Sequence, residues 1–167
     1  MRRYQLALLP VLALISSACF CQYDPYAHLF TTQQPPSENV VGVYILKEQT
    51  LSTEGLSFLQ GQPATIELNS NGTYTATNFL LWKETGAAEY KFDSLLSMTG
   101  NWKIKAVGTV SGGDEHTASW GIVFDPVLDD SVVNLTNNEP PHGLIFTYGD
   151  PDSGDVMIFE KTQLMSE

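Results

Sequence analysis

Three aspartates near the C-terminus, Asp150, Asp152 and Asp155, have a spacing that could supply oxygen ligands to a hard cation such as Ca²⁺. Counted from Asp150, the twelfth position of an EF-hand loop is Lys161 rather than an acidic residue, which excludes that motif. The same segment contains a proline and a glycine, which favour a tight turn. A turn is therefore the favoured interpretation, and the three aspartates are the alternative candidates for a metal site.

Other residue types that could carry catalysis lack the spacing that catalysis needs. The three histidines, His28, His116 and His142, form no H-x-x-H or H-E-x-x-H pattern, and neither a G-x-S-x-G elbow nor a phosphate-binding glycine loop is present. Carboxylates are too numerous for a glycosidase-like pair to be singled out. We therefore predict a protein that is not an enzyme and that needs no cofactor.

Aromatic residues are a second set that could bind a ligand. In a barrel they would either line a cavity for a small apolar molecule or fill the core. The candidates are Tyr74, Trp82, Trp102, Trp120, Phe124 and Phe146. Core filling is the more common role for such residues, and both roles stay open at the level of sequence.

The N-terminus has the pattern of an export signal, predicted over residues 1–18. Two arginines precede an apolar run over residues 6–15, and small residues follow it up to Cys19. The Ser-Ser-Ala-Cys sequence resembles the lipobox of bacterial lipoproteins, which implies that Cys19 is lipidated and anchors the chain to a membrane of the cell envelope. The alternative is ordinary signal-peptidase cleavage after Ala18, which would leave a secreted or periplasmic soluble protein.

The residues after the signal are polar, contain prolines and show no period, so we predict a flexible tether over residues 19–39. The only two cysteines are Cys19 and Cys21, which excludes a disulfide-stapled scaffold. Residues 40–167 must therefore fold as one domain around a hydrophobic core, and their number is sufficient for that.

The chain is strongly acidic. Its formal charge of −11 becomes −13 once the two arginines of the signal are removed, and the remaining cations are all lysines. Nucleic-acid binding requires cationic side chains that neutralise phosphates, so this class of partner is excluded. The charge suits a basic protein partner, or it serves solubility alone.

Short stretches of alternating apolar and polar residues, separated by turn formers, predict a mainly β domain. The clearest unit is a hairpin over residues 144–161, and a second hairpin joins residues 64–69 to residues 73–79. Further strands are predicted over residues 40–47, 101–110, 116–124 and 127–135. A helix is predicted over residues 50–61, and residues 80–99 are interpreted as a long loop with a helical turn.

This order predicts an antiparallel up-and-down β-barrel of the lipocalin-like type, with one or two short helices. A β-sandwich is the alternative. In strand 116–124, Ala118, Trp120, Ile122 and Phe124 are expected to face inward and Ser119 outward. Closure of the barrel requires residues 156–161 to pair with residues 40–47.

Several local motifs occur in a characteristic order. They are Gly42 with Tyr44, the Asn-Gly-Thr-Tyr sequence at 71–74, Gly-Asn-Trp at 100–102, and residues 149–154 followed by Phe-Glu-Lys at 159–161. This ordered set resembles uncharacterised bacterial lipoproteins and secreted proteins with calycin-like barrels. The resemblance implies the barrel fold and no particular activity.

Together these features favour an exported, membrane-tethered lipoprotein domain that is not an enzyme. It would bind a small apolar ligand or serve a structural role in the envelope. The alternative is a protein-binding module, of the inhibitor or immunity type, that uses its acidic surface against a basic partner.

Overall fold

Eight antiparallel strands pair in sequence order, and the last pairs with the first to close a barrel over the described part of the chain. The computed structural model describes residues 24–52, 54–86, 89–112 and 115–162. The strands are β1 Gly42–Gln49, β2 Thr65–Leu68, β3 Thr73–Glu84, β4 Tyr90–Gly112, β5 Glu115–Asp125, β6 Val132–Thr136, β7 Gly143–Thr147 and β8 Val156–Lys161. Two short helices, α1 Ser37–Val40 and α2 Glu54–Phe58, precede β1 and β2. The predicted lipocalin-like barrel is confirmed.

The C-terminal hairpin closes the barrel. In it Leu144 of β7 lies opposite Phe159 of β8, and Phe159 in turn lies opposite Leu46 of β1. At its tip the Asp150 side chain accepts a hydrogen bond from the backbone N–H of Asp152, and Gly154 ends the turn at φ 72°. This left-handed conformation is open to glycine at little cost, so the sequence of the turn matches its backbone.

The interpretation of residues 80–99 as a loop is wrong, because β3 continues to Glu84 and β4 begins at Tyr90. Two register shifts interrupt this hairpin, one between Ala76 and Phe79 and one after Leu81. As a result Phe79 and Leu80 are both buried although they are neighbours in sequence. The bulges destroy the period of two that identifies a strand in a sequence.

The inward face of β5 was predicted correctly only in its second half. Ile122 and Phe124 are buried, but Ala118 is exposed and Ser119 is buried. The pairing of β4 with β5 shifts register between Ala106 and Gly108, and Thr31 bonds to β5 at this point, because its carbonyl accepts the N–H of Trp120.

The barrel interior is filled by aromatic side chains. The ring of Phe146 lies 5.2 Å from that of Phe79, 5.4 Å from that of Phe159 and 6.3 Å from that of Phe124. Tyr74 packs edge-on against Phe124 at 4.8 Å. These distances are typical of packed aromatic pairs, so the rings form the core itself.

The junction between β5 and β6 is the weakest in the barrel, with one paired position, Gly121 opposite Asn134. A side chain at Gly121 would place its Cβ 1.9 Å from the carbonyl oxygen of Val133, so only glycine allows this approach. Residues 29–31 complete the junction. Thr31 donates its N–H to the carbonyl of Leu135, while its own carbonyl accepts the N–H of Trp120, each at 2.8 Å.

Residues 24–40 form what we call the strap, which includes most of the segment predicted as a tether. Its Phe30 is 8% exposed and packs with Ile145 and Val156 on the outside of the barrel. The strap shows no regular alternation of apolar and polar residues, because it contacts the barrel at isolated positions and does not form a strand along it. Residues 19–23, with Cys19 and Cys21, lie outside the described part of the chain.

Antiparallel connections divide between two ends of the barrel. The mouth end carries α2 and the connections after β3, β5 and β7. The closed end carries the turns after β2 and β6 and the entry into β1, and the strap crosses it. There the N–H of Asn137 donates to the carbonyl of Leu29 at 2.8 Å, and Thr31 Oγ1 donates to the carbonyl of Asn137 at 2.6 Å.

Candidate binding site at the barrel mouth

A cavity of about 510 Å³ lies at the mouth end. Its walls come from the end of β3, the start of β4, the connection between β5 and β6, and the end of β7. The polar and aromatic residues that line it are Trp82, Lys83, Glu84, Tyr90, Asp93, Asp129, Asp130, Ser131 and Tyr148. This volume lies in the range of small-molecule sites and also accommodates a protruding side chain of a protein partner.

Asp129 is the carboxylate most firmly positioned in the cavity. One carboxylate oxygen accepts hydrogen bonds from the N–H of Ser131, at 3.0 Å, and from its hydroxyl, while the other accepts the Tyr148 hydroxyl. Burial raises the pKa of Asp129 above its usual 3.8, and the hydrogen bonds from Ser131 and Tyr148 oppose that rise. The site thus holds a carboxyl group that is oriented by three donors.

Tyr148 stays in its neutral, donating form. Its side chain is 5% exposed, and burial together with the negative charge of Asp129 raises its pKa well above 10. The ring of Tyr90 meets that of Tyr148 edge-on at 5.6 Å. Two tyrosine rings therefore line the cavity together, and one of them bonds to the Asp129 carboxylate.

Trp82 forms another part of the wall and is held from behind. Its indole N–H points to the sulfur of Met157, with 3.3 Å between Nε1 and Sδ, and its ring meets Phe92 edge-on at 6.0 Å. Helix α2 packs on the same tryptophan, because a Cβ at Gly55 would lie 2.9 Å from the indole ring. The position of this ring is therefore determined by β8, β4 and α2 together.

The lining has an excess of negative charge, with four carboxylates, Glu84, Asp93, Asp129 and Asp130, and one cation, Lys83. A cavity lining that combines carboxylates with tryptophan and tyrosine rings attracts organic cations, such as the side chains of lysine and arginine. The arrangement therefore suits recognition of a basic group.

The aspartates considered as metal ligands lie in the turn between β7 and β8. There the side chain of Asp150 caps Asp152, and the backbone N–H of Asp155 bonds to the hydroxyl of Ser153 at 3.2 Å. Within the described ranges, no group of three or more His, Cys, Asp or Glu residues has the geometry to hold a metal ion.

The six aromatic candidates do not converge on one cavity. Tyr74, Phe124 and Phe146 are core residues, and the Tyr74 hydroxyl donates to the carbonyl of Pro126 at 2.6 Å. Trp102 is buried at the closed end and donates its indole N–H to the carbonyl of Asn69 at 3.0 Å, while Trp120 is half-buried at the junction of β5 and β6. Of the six, Trp82 alone lines the mouth cavity.

The residues that sequence reasoning missed are Tyr90, Asp129 and Tyr148. Asp129 stands two positions before Ser131, a spacing at which an aspartate side chain bonds to the backbone ahead of it. That local signal predicts a turn rather than a site. The contact between Asp129 and Tyr148 spans 19 positions and follows from the pairing of β6 with β7, in which Val132 lies opposite Thr147.

No family model, curated protein or solved structure matches this chain. The resemblance to calycin-like lipoproteins therefore stays a prediction from the motifs. No helix in the described ranges has both the length and the apolar character that a membrane crossing needs.

Proposed function

We propose that this protein is an exported lipoprotein of the bacterial cell envelope, anchored through Cys19, whose barrel is a non-enzymatic module that binds a basic protein partner. The mouth cavity carries the proposal. Its four carboxylates, together with Trp82, Tyr90 and Tyr148, form a concave surface suited to a cationic side chain. The general acidity of the chain would in addition steer a basic partner towards it.

The packing of the core favours this function over the binding of a small apolar molecule inside the barrel. Phe79, Phe124, Phe146 and Phe159 occupy the space between the strands and contact one another. An apolar ligand in the interior would have to displace these rings and break the packing contacts between them.

The lining of the mouth cavity also supports a binding role. Neither histidine nor cysteine is among its residues, so it lacks the usual general base and the usual thiol nucleophile. Asp129 is engaged by Tyr148 and by Ser131, which makes it a fixed acceptor. A carboxylate that is already held in position favours binding, because no free energy is lost in ordering its side chain when the cation binds.

Affinity capture with the full mature chain tests this function. The mouth variant Glu84→Gln/Asp93→Asn/Asp130→Asn removes exposed charge from the cavity lining. The matched control, Glu38→Gln/Glu67→Gln/Glu139→Gln, removes three exposed carboxylates at the closed end. We expect a basic protein to bind the native chain and the control at low salt, to be released at high salt, and to bind the mouth variant at least several-fold more weakly.

Equal loss of the basic partner in both variants would mean that overall charge, and not the mouth, is responsible. A co-purified apolar molecule seen by native mass spectrometry, in the absence of a salt-released basic protein, would support the small-ligand function instead.

A further inference from the structure

The strap determines where the chain leaves the barrel on its way to the proposed anchor. Pro25 and Tyr26 lie beside Gly154, at 3.6 Å and 3.9 Å from the position of a Cβ at that glycine. Gly154 belongs to the connection between β7 and β8, which is at the mouth end. The strap then runs along the outside of the barrel to Asn137 at the closed end. The N-terminal end of the described chain is therefore at the mouth.

The distance from this point to the anchor is short. Cys19 precedes Asp24 by five positions, and five fully extended residues span at most about 17 Å. A barrel tied to lipid at Cys19 would thus keep its mouth end close to the bilayer.

Exposed apolar side chains are concentrated at the same end. Among the described residues, the large apolar side chains with the greatest exposure are Leu56 at 45%, Phe58 at 53%, Val127 at 63% and Val132 at 48%. Leu56 and Phe58 are in α2, between β1 and β2, whereas Val127 and Val132 flank the connection between β5 and β6. Phe58 stacks on Phe92 of β4 with ring centroids 4.6 Å apart, whereas Val127 and Val132 line a second cavity beside Ala106 and Val107, so these side chains form two separate apolar patches.

The closed end has a different surface. Its exposed residues include Ser70, Asn71, Asn138 and Glu139, and the strap covers part of it. None of the large exposed apolar side chains in the described ranges belongs to the turns of that end. The exposed apolar side chains of the mouth end suit contact with lipid, and the polar surface of the closed end suits contact with water.

We propose that the mouth end is the membrane-facing surface of this protein, with Leu56, Phe58, Val127 and Val132 in contact with the headgroup region of the bilayer. The inference rests on the lipid anchor of the proposed function. In this orientation the mouth cavity opens at the membrane surface. The basic partner would therefore present its cationic group there. The mouth carboxylates repel anionic lipid, so zwitterionic headgroups are the surface that fits.

Depth-dependent fluorescence quenching tests this orientation. The full mature chain, processed from its precursor in a bacterial host and carrying Cys21→Ser, is placed in phosphatidylcholine vesicles that contain a quencher-labelled lipid. One sample carries an environment-sensitive label at Val127→Cys, and the matched sample carries it at Ser70→Cys in the closed-end turn; both positions are exposed. We expect several-fold stronger quenching of the label at position 127.

Vesicle flotation separates the two proposals. A chain that floats with vesicles but shows equal quenching at both positions, or stronger quenching at position 70, overturns the orientation and leaves the anchor intact. A chain that fails to float although Cys19 is present overturns the anchor, and the orientation with it.

Discussion

The two ends of this barrel are built from the same kind of antiparallel connection, yet they differ in what covers them. At the closed end, backbone groups of the strap bond to the connection after β6, and Tyr44 donates its hydroxyl to the carbonyl of Val40 at 2.5 Å. At the mouth, side chains line an open cavity in which Asp129 is held by Tyr148. The comparison indicates that the closed end contributes chiefly to stability, whereas the mouth end carries the side chains that we propose for binding.

The largest effect is expected at the junction that the strap completes. Gly121→Ala would drive a methyl group into the carbonyl of Val133, and because both atoms belong to the sheet neither can move freely. We expect a loss of about 3 kcal/mol or more in the free energy of unfolding, measured by chemical denaturation.

Gly108→Ala is the matched control for this junction. It lies in the same ribbon, and its Cβ would meet only the rotatable hydroxyl of Ser119 at 2.9 Å. Its effect should be much smaller. Equal losses in the two variants would show that the β5–β6 approach is not the sensitive point.

The second prediction separates stability from binding at the two ends. Phe30→Ala removes a ring that the strap buries against Ile145 and Val156, so we expect about 3 kcal/mol lower stability with unchanged affinity of the folded protein for a basic peptide. Phe58→Ala at the mouth is the control, since its ring is 53% exposed and stacks only on Phe92, and it should cost about 1 kcal/mol. Weaker binding of the peptide by folded Phe30→Ala would show that the strap contributes to binding as well as to stability.

The smallest effect concerns pH and Asp129. Because its pKa is raised in the folded protein, the folded state holds the proton more tightly than the unfolded chain does. The stabilising contribution of that proton is fully present at low pH and is lost as the pH rises through the folded-state pKa. Affinity for a lysine-rich peptide should change in the opposite sense and rise over the same window, because only the ionised carboxylate attracts the cation.

Asp129→Asn should remove the contribution of this group to the pH dependence of both stability and peptide affinity. Asp152→Asn, in the neighbouring turn, should leave that contribution in place. Calorimetric titration and denaturation across the acid range provide the two measurements. A pH profile of peptide binding that is the same in the native chain and in Asp129→Asn would exclude Asp129 from the recognition of cations.

Local chemistry made parts of this fold predictable. The C-terminal hairpin could be identified because alternating apolar residues surround a turn whose proline, aspartate and glycine each match the backbone they occupy. Strands were predicted over residues 73–79 and 101–110, but their continuation through residues 80–99 was missed because bulges at Ala76–Phe79 and after Leu81 break the alternation. A bulge depends on the pairing of two strands. The alternation within one strand therefore does not show where a bulge will occur.

The candidate site shows more clearly which properties follow from the local sequence and which depend on contacts between distant residues. Composition and alternation by themselves determined that the chain is acidic, mainly β and able to form a closed barrel, because charge and period are properties of neighbouring residues. Only the tertiary structure decided that Asp129 meets Tyr148, that Trp82 lies where the core meets the mouth cavity, and that residues 24–39 lie on the barrel. These contacts join residues that are not neighbours in sequence, and the pairing and packing of the strands bring them together.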